Sequence, residues 1–302
     1  MSPVESLETS PEIRSSDMLG YILSQPRSGS TVLAAMLDRR RGIVSPPESS
    51  FPQVLGAISS KERADPRWLA ALYFGSTFTP SPLSFEEALS CMKGSNQDIL
   101  VALGLAIAAK FGRPADQIRA IVWKTPRTVG MQAGPISTDG KFIVLRRDPH
   151  NVFESQFRVG FGVNNRRPFR FAVFRESYEN AFSRLPPERV LEVHYDDFPG
   201  ALDEVTRFLG IPDAGEWPEG TGSFEMAAKA CDHMTEVTGA FVNRDPEKRA
   251  RLRPDQVSSL DRSMQLARPL RGFLKPVRAY FDGRSLEEAR KEARKVLAAQ
   301  PS

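Results

Sequence analysis

Arg27, Ser28, Gly29, Ser30 and Thr31 stand in a row between an apolar run (Met18, Leu19, Tyr21, Ile22, Leu23) and a helix-forming segment, Val32 to Asp38. A strand, a tight glycine-containing turn and a helix start leave the first N–H groups of the helix pointing outward, where they attract anions. Arg27 adds a fixed positive charge there, and Ser28, Ser30 and Thr31 add hydroxyl donors. The combination suits a phosphate. It is not the loop G-x-x-x-x-G-K-[ST], because no Lys precedes the Ser/Thr. An early Arg without that Lys fits a single 5′-phosphate better than a triphosphate. The plainer alternative is a turn in which Ser28 or Ser30 only caps a helix.

Two more strand ends carry cations. Ala120 to Trp123 has the apolar, β-branched character of a buried strand and stops at Lys124-Thr125-Pro126. Lys141 to Leu145 is another, stopping at Arg146-Arg147-Asp148-Pro149. An Arg or Lys alone is usually a surface charge. In an open parallel sheet, however, the ligand crevice lies at the carboxyl ends of the strands. Arg27, Lys124 and Arg147 would then converge on one rim and form a pocket for a ligand with several negative charges.

The elements that must place these residues follow from the same pattern. Strands are expected at 18–24, 42–45, 120–123, 141–145 and 190–195. Helices are expected at 30–40, 51–58, 68–74, 85–92, 99–111, 150–158, 169–184 and 200–209, the last ended by Gly210 and Pro212. Short apolar strands alternating with helices predict an α/β fold, a three-layer α/β/α arrangement around a parallel sheet of four or five strands. Residues 1–17 read as a disordered tail and 18–302 as a single domain, with a helical insertion at 59–118 and a polar, Arg-rich helix or loop part at 213–302.

Composition narrows the function classes. A chain of 302 residues, 40% hydrophobic, buries one sizeable core. A net charge of +4 suits anionic ligands and is too mild to argue for nucleic acid without a basic stripe. Cys91 and Cys231 are far apart, which argues for neither a disulfide framework nor a metal site. The N-terminus lacks the basic and apolar regions of a signal peptide, and no apolar run approaches ~18 residues. The expectation is a cytoplasmic protein with no membrane span and no metal.

With these residues in view, the chain resembles the sulfotransferases that use 3′-phosphoadenosine-5′-phosphosulfate (PAPS). Pro26-Arg27-Ser28-Gly29-Ser30-Thr31 is similar to their 5′-phosphosulfate loop. Arg147-Asp148-Pro149, with Ser155 eight positions beyond Arg147, resembles their 3′-phosphate segment. Val193-His194-Tyr195-Asp196-Asp197-Phe198, followed by Phe208-Leu209-Gly210, resembles their later strand and helix. The three motifs come in order and span about residues 18–212. The resemblance implies a P-loop-like fold, PAPS as sulfuryl donor and adenosine 3′,5′-bisphosphate (PAP) as product. Cofactor contacts would fall on Arg27, Ser28, Gly29, Ser30, Thr31, Arg147 and Ser155. Tyr195 would lie near the adenine, although a packed strand tyrosine fits it as well.

Sulfuryl transfer needs a base for the acceptor hydroxyl and cations for the departing phosphate. Lys124 resembles the family lysine that meets the bridging oxygen, with Arg27 sharing that work; its plainer alternative is a solvated strand-end lysine. Cytosolic members commonly carry a His after this strand end, and Lys124-Thr125-Pro126-Arg127 has none. His150, His194 and His233 all sit elsewhere. Glu48, after Pro46-Pro47 and 21 residues beyond Arg27, resembles the base of the branch that includes protein-tyrosine and some carbohydrate sulfotransferases. Its other reading is a first-turn residue of the next helix, favourable to the helix dipole.

The acceptor is expected to be a small metabolite, sugar or lipid head group, walled by 59–118 and 160–170; peptide tyrosine is the alternative. In the family a late basic loop closes on the 3′-phosphate, and Thr238 to Arg253 has that charge and position. Ser285 to Ala299 reads as a charged helix with a solvated face, Glu287 pairing Lys291 and Glu292 pairing Lys295, with a homodimer contact as its other use. A P-loop-like kinase with Asp148 as magnesium ligand, and a non-catalytic nucleotide-binding module, remain as readings from other classes.

Overall fold

The computed structural model describes residues 15–125, 140–158, 167–218, 243, 245–273 and 286–300. Five strands form one sheet: β1 (Leu19–Ser24), β2 (Ile43–Val44), β3 (Ala120–Lys124), β4 (Lys141–Arg146) and β5 (Val190–His194). Their order is β2-β3-β1-β4-β5, and every pairing is parallel. The helices are α1 (Ser30–Asp38), α2 (Phe51–Ala57), α3 (Ser60–Arg63), α4 (Pro66–Ser76), α5 (Phe85–Ser90), α6 (Asn96–Lys110), α7 (Pro149–Arg158), α8 (Pro168–Phe182), α9 (Leu202–Leu209), α10 (Asp245–Ala250), α11 (Pro254–Ala267) and α12 (Leu286–Ala298).

Strand alternation gives the sheet two buried faces. Leu19, Tyr21, Leu23, Ile121, Trp123, Phe142 and Val144 face a core shared with α4, α6, α8 and α12. Ile22, Val122, Ile143, Leu145 and Val193 face α1 and α9. That is the expected three-layer α/β/α fold, and burial on both faces is why its strands read as unbroken apolar runs. The register brings Ile22 opposite Lys124, Ser24 opposite Leu145 and Arg146 opposite His194, so the carboxyl ends of four strands meet at one edge.

Residues 15–18 form a 3-10 turn that leads into β1; residues 1–14, most of the expected tail, lie outside the described residues. One expectation changes. Helix α12 is not simply a solvated face. Ala289 and Ala293 are fully buried against α4, where a Cβ on Gly75 would come 2.5 Å from the Ala289 carbonyl. Arg290, rather than Lys291, bonds Glu287, and it also grips Glu62 through two contacts of 2.8 Å; Glu292 and Lys295 pair as expected at 2.7 Å. No helix among the described residues is long and apolar enough to cross a membrane. Cys91 is buried, and Cys231 lies outside the described residues.

Candidate active site

The loop from Gln25 to Gly29 is built by two left-handed residues. Arg27 has φ 73° and Gly29 φ 93°, and a side chain on a left-handed residue is strained. Gly29 is the N-cap of α1, and no side chain caps that helix among the described residues. Ser28 and Ser30 therefore do not act as caps; the Ser28 N–H instead bonds the Gln25 carbonyl at 3.2 Å. The nine-residue helix α1 keeps its first N–H groups and the positive end of its dipole turned to this loop. Helix α7 fixes the loop from the side, where Gln156 Nε2 donates to the Pro26 carbonyl at 2.9 Å.

Lys124 ends β3 with its side chain 2% exposed. Its ammonium donates to the Thr31 hydroxyl at 2.6 Å and to Glu48 Oε2. Glu48 precedes α2, whose N-cap is Ser50, so it stands outside that helix rather than in its first turn. The chain around it is held by the end of α4 and the residues just after: the Phe78 N–H donates to the Glu48 carbonyl at 2.9 Å, and the Ser50 N–H to the Ser76 carbonyl at 3.0 Å. Upstream, the Ser45 N–H donates to Asp38 Oδ1 at 2.8 Å and the Ser45 hydroxyl to the Val122 carbonyl at 2.9 Å. Asp38 is itself paired with Arg113 at 2.9 Å, both side chains 1% exposed.

The other half of the site gathers on Arg147. Its Nη1 donates to the Arg27 carbonyl at 2.9 Å, and its guanidinium carbon lies 4.0 Å from the Tyr195 ring centre. The same ring touches Gly29, where an added Cβ would come 2.4 Å from two ring carbons. Tyr195 thus supports both the loop and Arg147. Arg27 Nε donates to the Ser155 hydroxyl at 3.3 Å, across from α7. Asp148 caps α7: its Oδ1 accepts from the His150 and Asn151 N–H groups at 2.9 and 3.1 Å. Burial pushes the Asp148 carboxyl up, but the His150 imidazole, the Asn151 N–H and the Arg249 charge outweigh it and hold the pKa below the usual value.

A cavity of about 470 Å³ opens between Ser28 and the ends of β4 and β5, with Arg147, Asp148, His194 and Asp196 on its wall. The structure therefore brings Arg27, Ser28, Gly29, Thr31, Glu48, Lys124, Arg147, Ser155 and Tyr195 into one connected set, with Ser30 opening α1. Of the late segment, 238–242 and 244 lie outside the described residues, as do 160–166, Pro126 and His233. Asp245 and Gln156, which both touch the site, gave no functional signal in the sequence.

The sequence profile of the sulfotransferase family matches residues 21–214. Solved structures similar to the chain include the sulfotransferase domain from the Synechococcus PCC 7002 olefin synthase, at 21% identity over 94% of this chain and 95% of that one, TM-score 0.39. The sulfotransferase domain from the curacin biosynthetic pathway matches at 20% identity over 93% and 98%, TM-score 0.40. Mouse sulfotransferase SULT7A1, complexed with PAP, matches at 14% identity over 95% and 90%, TM-score 0.37. No curated protein matches significantly. With the family profile spanning more than half its length, from β1 past α9, the chain belongs to the sulfotransferase family.

Proposed function

We propose that the protein transfers a sulfuryl group from PAPS to a hydroxyl or amine of a small metabolite, sugar or lipid head group. The observation that carries this reading is the Lys124 ammonium, bonded at once to the phosphate-type loop through Thr31 and to the carboxylate of Glu48. A cation and a base in contact at the mouth of an anion site are what in-line group transfer from a phosphate requires. The uncapped start of α1, the left-handed Gly29 and the loop hydroxyls suit the 5′-phosphosulfate.

In this reading Arg27, Ser28, Gly29, Ser30 and Thr31 hold the 5′ group, while Arg147 and Ser155 take the 3′-phosphate. Tyr195 acts on the nucleotide through its contacts with Arg147 and Gly29. Glu48 removes the proton from the acceptor as its oxygen or nitrogen bonds to sulfur. The sulfur–oxygen bond to the phosphate breaks in the same step, and Lys124 and Arg27 face the charge that builds on the departing oxygen. Asp148 is committed to capping α7, which weighs against a kinase reading that needs it as a magnesium ligand.

The test is release of PAP from PAPS in the presence of a panel of hydroxylated and amine acceptors, including a tyrosine peptide. At least one small acceptor is expected to support turnover that Glu48→Gln lowers by about 10²-fold or more. Turnover with the peptide alone would move the acceptor class to protein tyrosine. Turnover untouched by Glu48→Gln would remove the assigned base.

A further inference from the structure

Asp245, on α10, meets Arg147 across 98 positions of chain. Arg147 Nε donates to Oδ2 at 2.9 Å and to Oδ1 at 3.1 Å, and Nη2 bonds Oδ1 as well. Nη1 is directed to the Arg27 carbonyl, and Tyr195 covers one face of the guanidinium. The Arg147 side chain is 4% exposed and that of Asp245 5%. No phosphate reaches the Nε–Nη2 edge while Asp245 is in place.

The same carboxylate lies 3.6 Å from the Lys248 ammonium, one turn along α10. Burial and the neighbouring Arg147 lower the Lys248 pKa, and Arg27 adds to this, against the pull of Asp245 and Glu154. Asp245 is also held from outside: its N–H donates to Asn243 Oδ1 at 2.9 Å, and Asn243 Nδ2 donates to Asp196 Oδ1 at 2.9 Å. One buried carboxylate thus sits among cations, on the arginine whose position marks it for a phosphate.

We infer that Asp245 is an internal anion that holds the place of the 3′-phosphate on Arg147 and is exchanged for it when the nucleotide binds. The inference rests on the nucleotide reading above. Its physical reason is that Arg147 and Lys248, desolvated without a counter-charge, would destabilise the free protein. Exchange subtracts the Asp245–Arg147 interaction from the affinity for a bisphosphate, and so favours departure of a product that carries the 3′-phosphate. A nucleotide without that phosphate leaves Asp245 where it is. The opposite arrangement, in which Asp245 stays on Arg147 and steadies it for the phosphate, predicts the opposite sign.

The experiment is calorimetric titration of the full chain and of Asp245→Asn with PAP and with AMP. The variant is expected to bind PAP about tenfold more tightly and AMP within about twofold of the natural chain, because the competent state no longer has to be drawn from an occupied one. PAP affinity that falls or stays level in the variant overturns the inference while leaving the nucleotide reading intact. PAP binding to neither protein overturns both. Hydrogen exchange on the natural chain needs no substitution: saturating PAP is expected to change protection of the α10 amides while AMP does not. Unchanged protection under PAP overturns the exchange.

Discussion

Lys124 Nζ is held between Thr31 Oγ1, at 2.6 Å, and Glu48 Oε2, so the first turn after the phosphate-type loop and the segment after β2 meet on one ammonium. With only 2% of its side chain exposed, Lys124 is not a solvated strand-end lysine.

Replacing Glu48 by Gln keeps the shape and removes the carboxylate to which the proposed mechanism assigns the proton. Turnover is expected to fall by about 10²-fold or more, the usual worth of a positioned general base, with PAP affinity little changed. Under the proposed mechanism Lys124→Ala should lower kcat by more than it lowers nucleotide affinity, since the charge it is assigned to meet builds up in the transition state. Steady-state kinetics beside calorimetry give both quantities. A Glu48→Gln protein with full turnover, or a Lys124→Ala protein that loses binding alone, would contradict the assignments.

Gly29→Ala places a Cβ on a residue with φ 93° and 2.4 Å from the Tyr195 ring. A left-handed alanine costs about 1–2 kcal/mol, and a shift of the ring would disturb its contact with Arg147. Nucleotide affinity is expected to drop about tenfold or more, with the loss of about 1.4 kcal/mol this represents. Calorimetry reads the affinity and a thermal melt the fold. An alanine variant that binds PAP normally would show that the loop does not depend on this contact.

The Asp38–Arg113 pair is a stability prediction. Both side chains are 1% exposed, Arg113 also bonds the Asp38 and Ile43 carbonyls at 2.8 and 3.2 Å, and it lies 5.3 Å from the Trp217 ring centre. Removing either partner leaves a buried charge, at about 3–5 kcal/mol. Arg113→Met and Asp38→Leu should each lower the denaturant midpoint strongly, and the double variant by less than their sum. Additive losses would mean that the pair does not act as a unit.

Glu62 gives a pH dependence. The Arg290 guanidinium holds its carboxyl down from an ordinary 4.5 to about 2, helped by Ser59 and opposed by burial. A depressed carboxylate contributes stability above its unfolded pKa, and loses it as pH falls from about 5 toward 2. The side chains are 23% and 19% exposed, so the contribution is about 0.5 kcal/mol, as for screened pairs. Thermal melts of the natural chain and Arg290→Ala should differ most near pH 7 and converge by about pH 2. A gap that widens in acid would contradict the sign.

Much of this fold was legible because buried parallel strands write themselves as apolar runs. Ala120 to Trp123 and Lys141 to Leu145 were readable to within a residue of β3 and β4. The phosphate-type loop was legible because Gly29 and the flanking hydroxyls sit at a strand-to-helix junction. Glu48 needed the family resemblance, since a glutamate after two prolines reads equally as a helix-start residue. What stayed hidden depends on distance and on small side chains. Asp38 meets Arg113 across 75 positions, and Asp245 lies in a stretch whose basic residues carry the only signal. Ala289 and Ala293 bury against Gly75 without leaving a hydrophobic stripe that periodicity can register.

The most direct test of the account is calorimetric titration of the purified chain with PAP beside ATP and magnesium, repeated on Arg147→Ala. The account predicts saturable binding of PAP that weakens in the variant, and none of ATP. Binding of ATP without PAP would contradict it and bring the kinase reading forward.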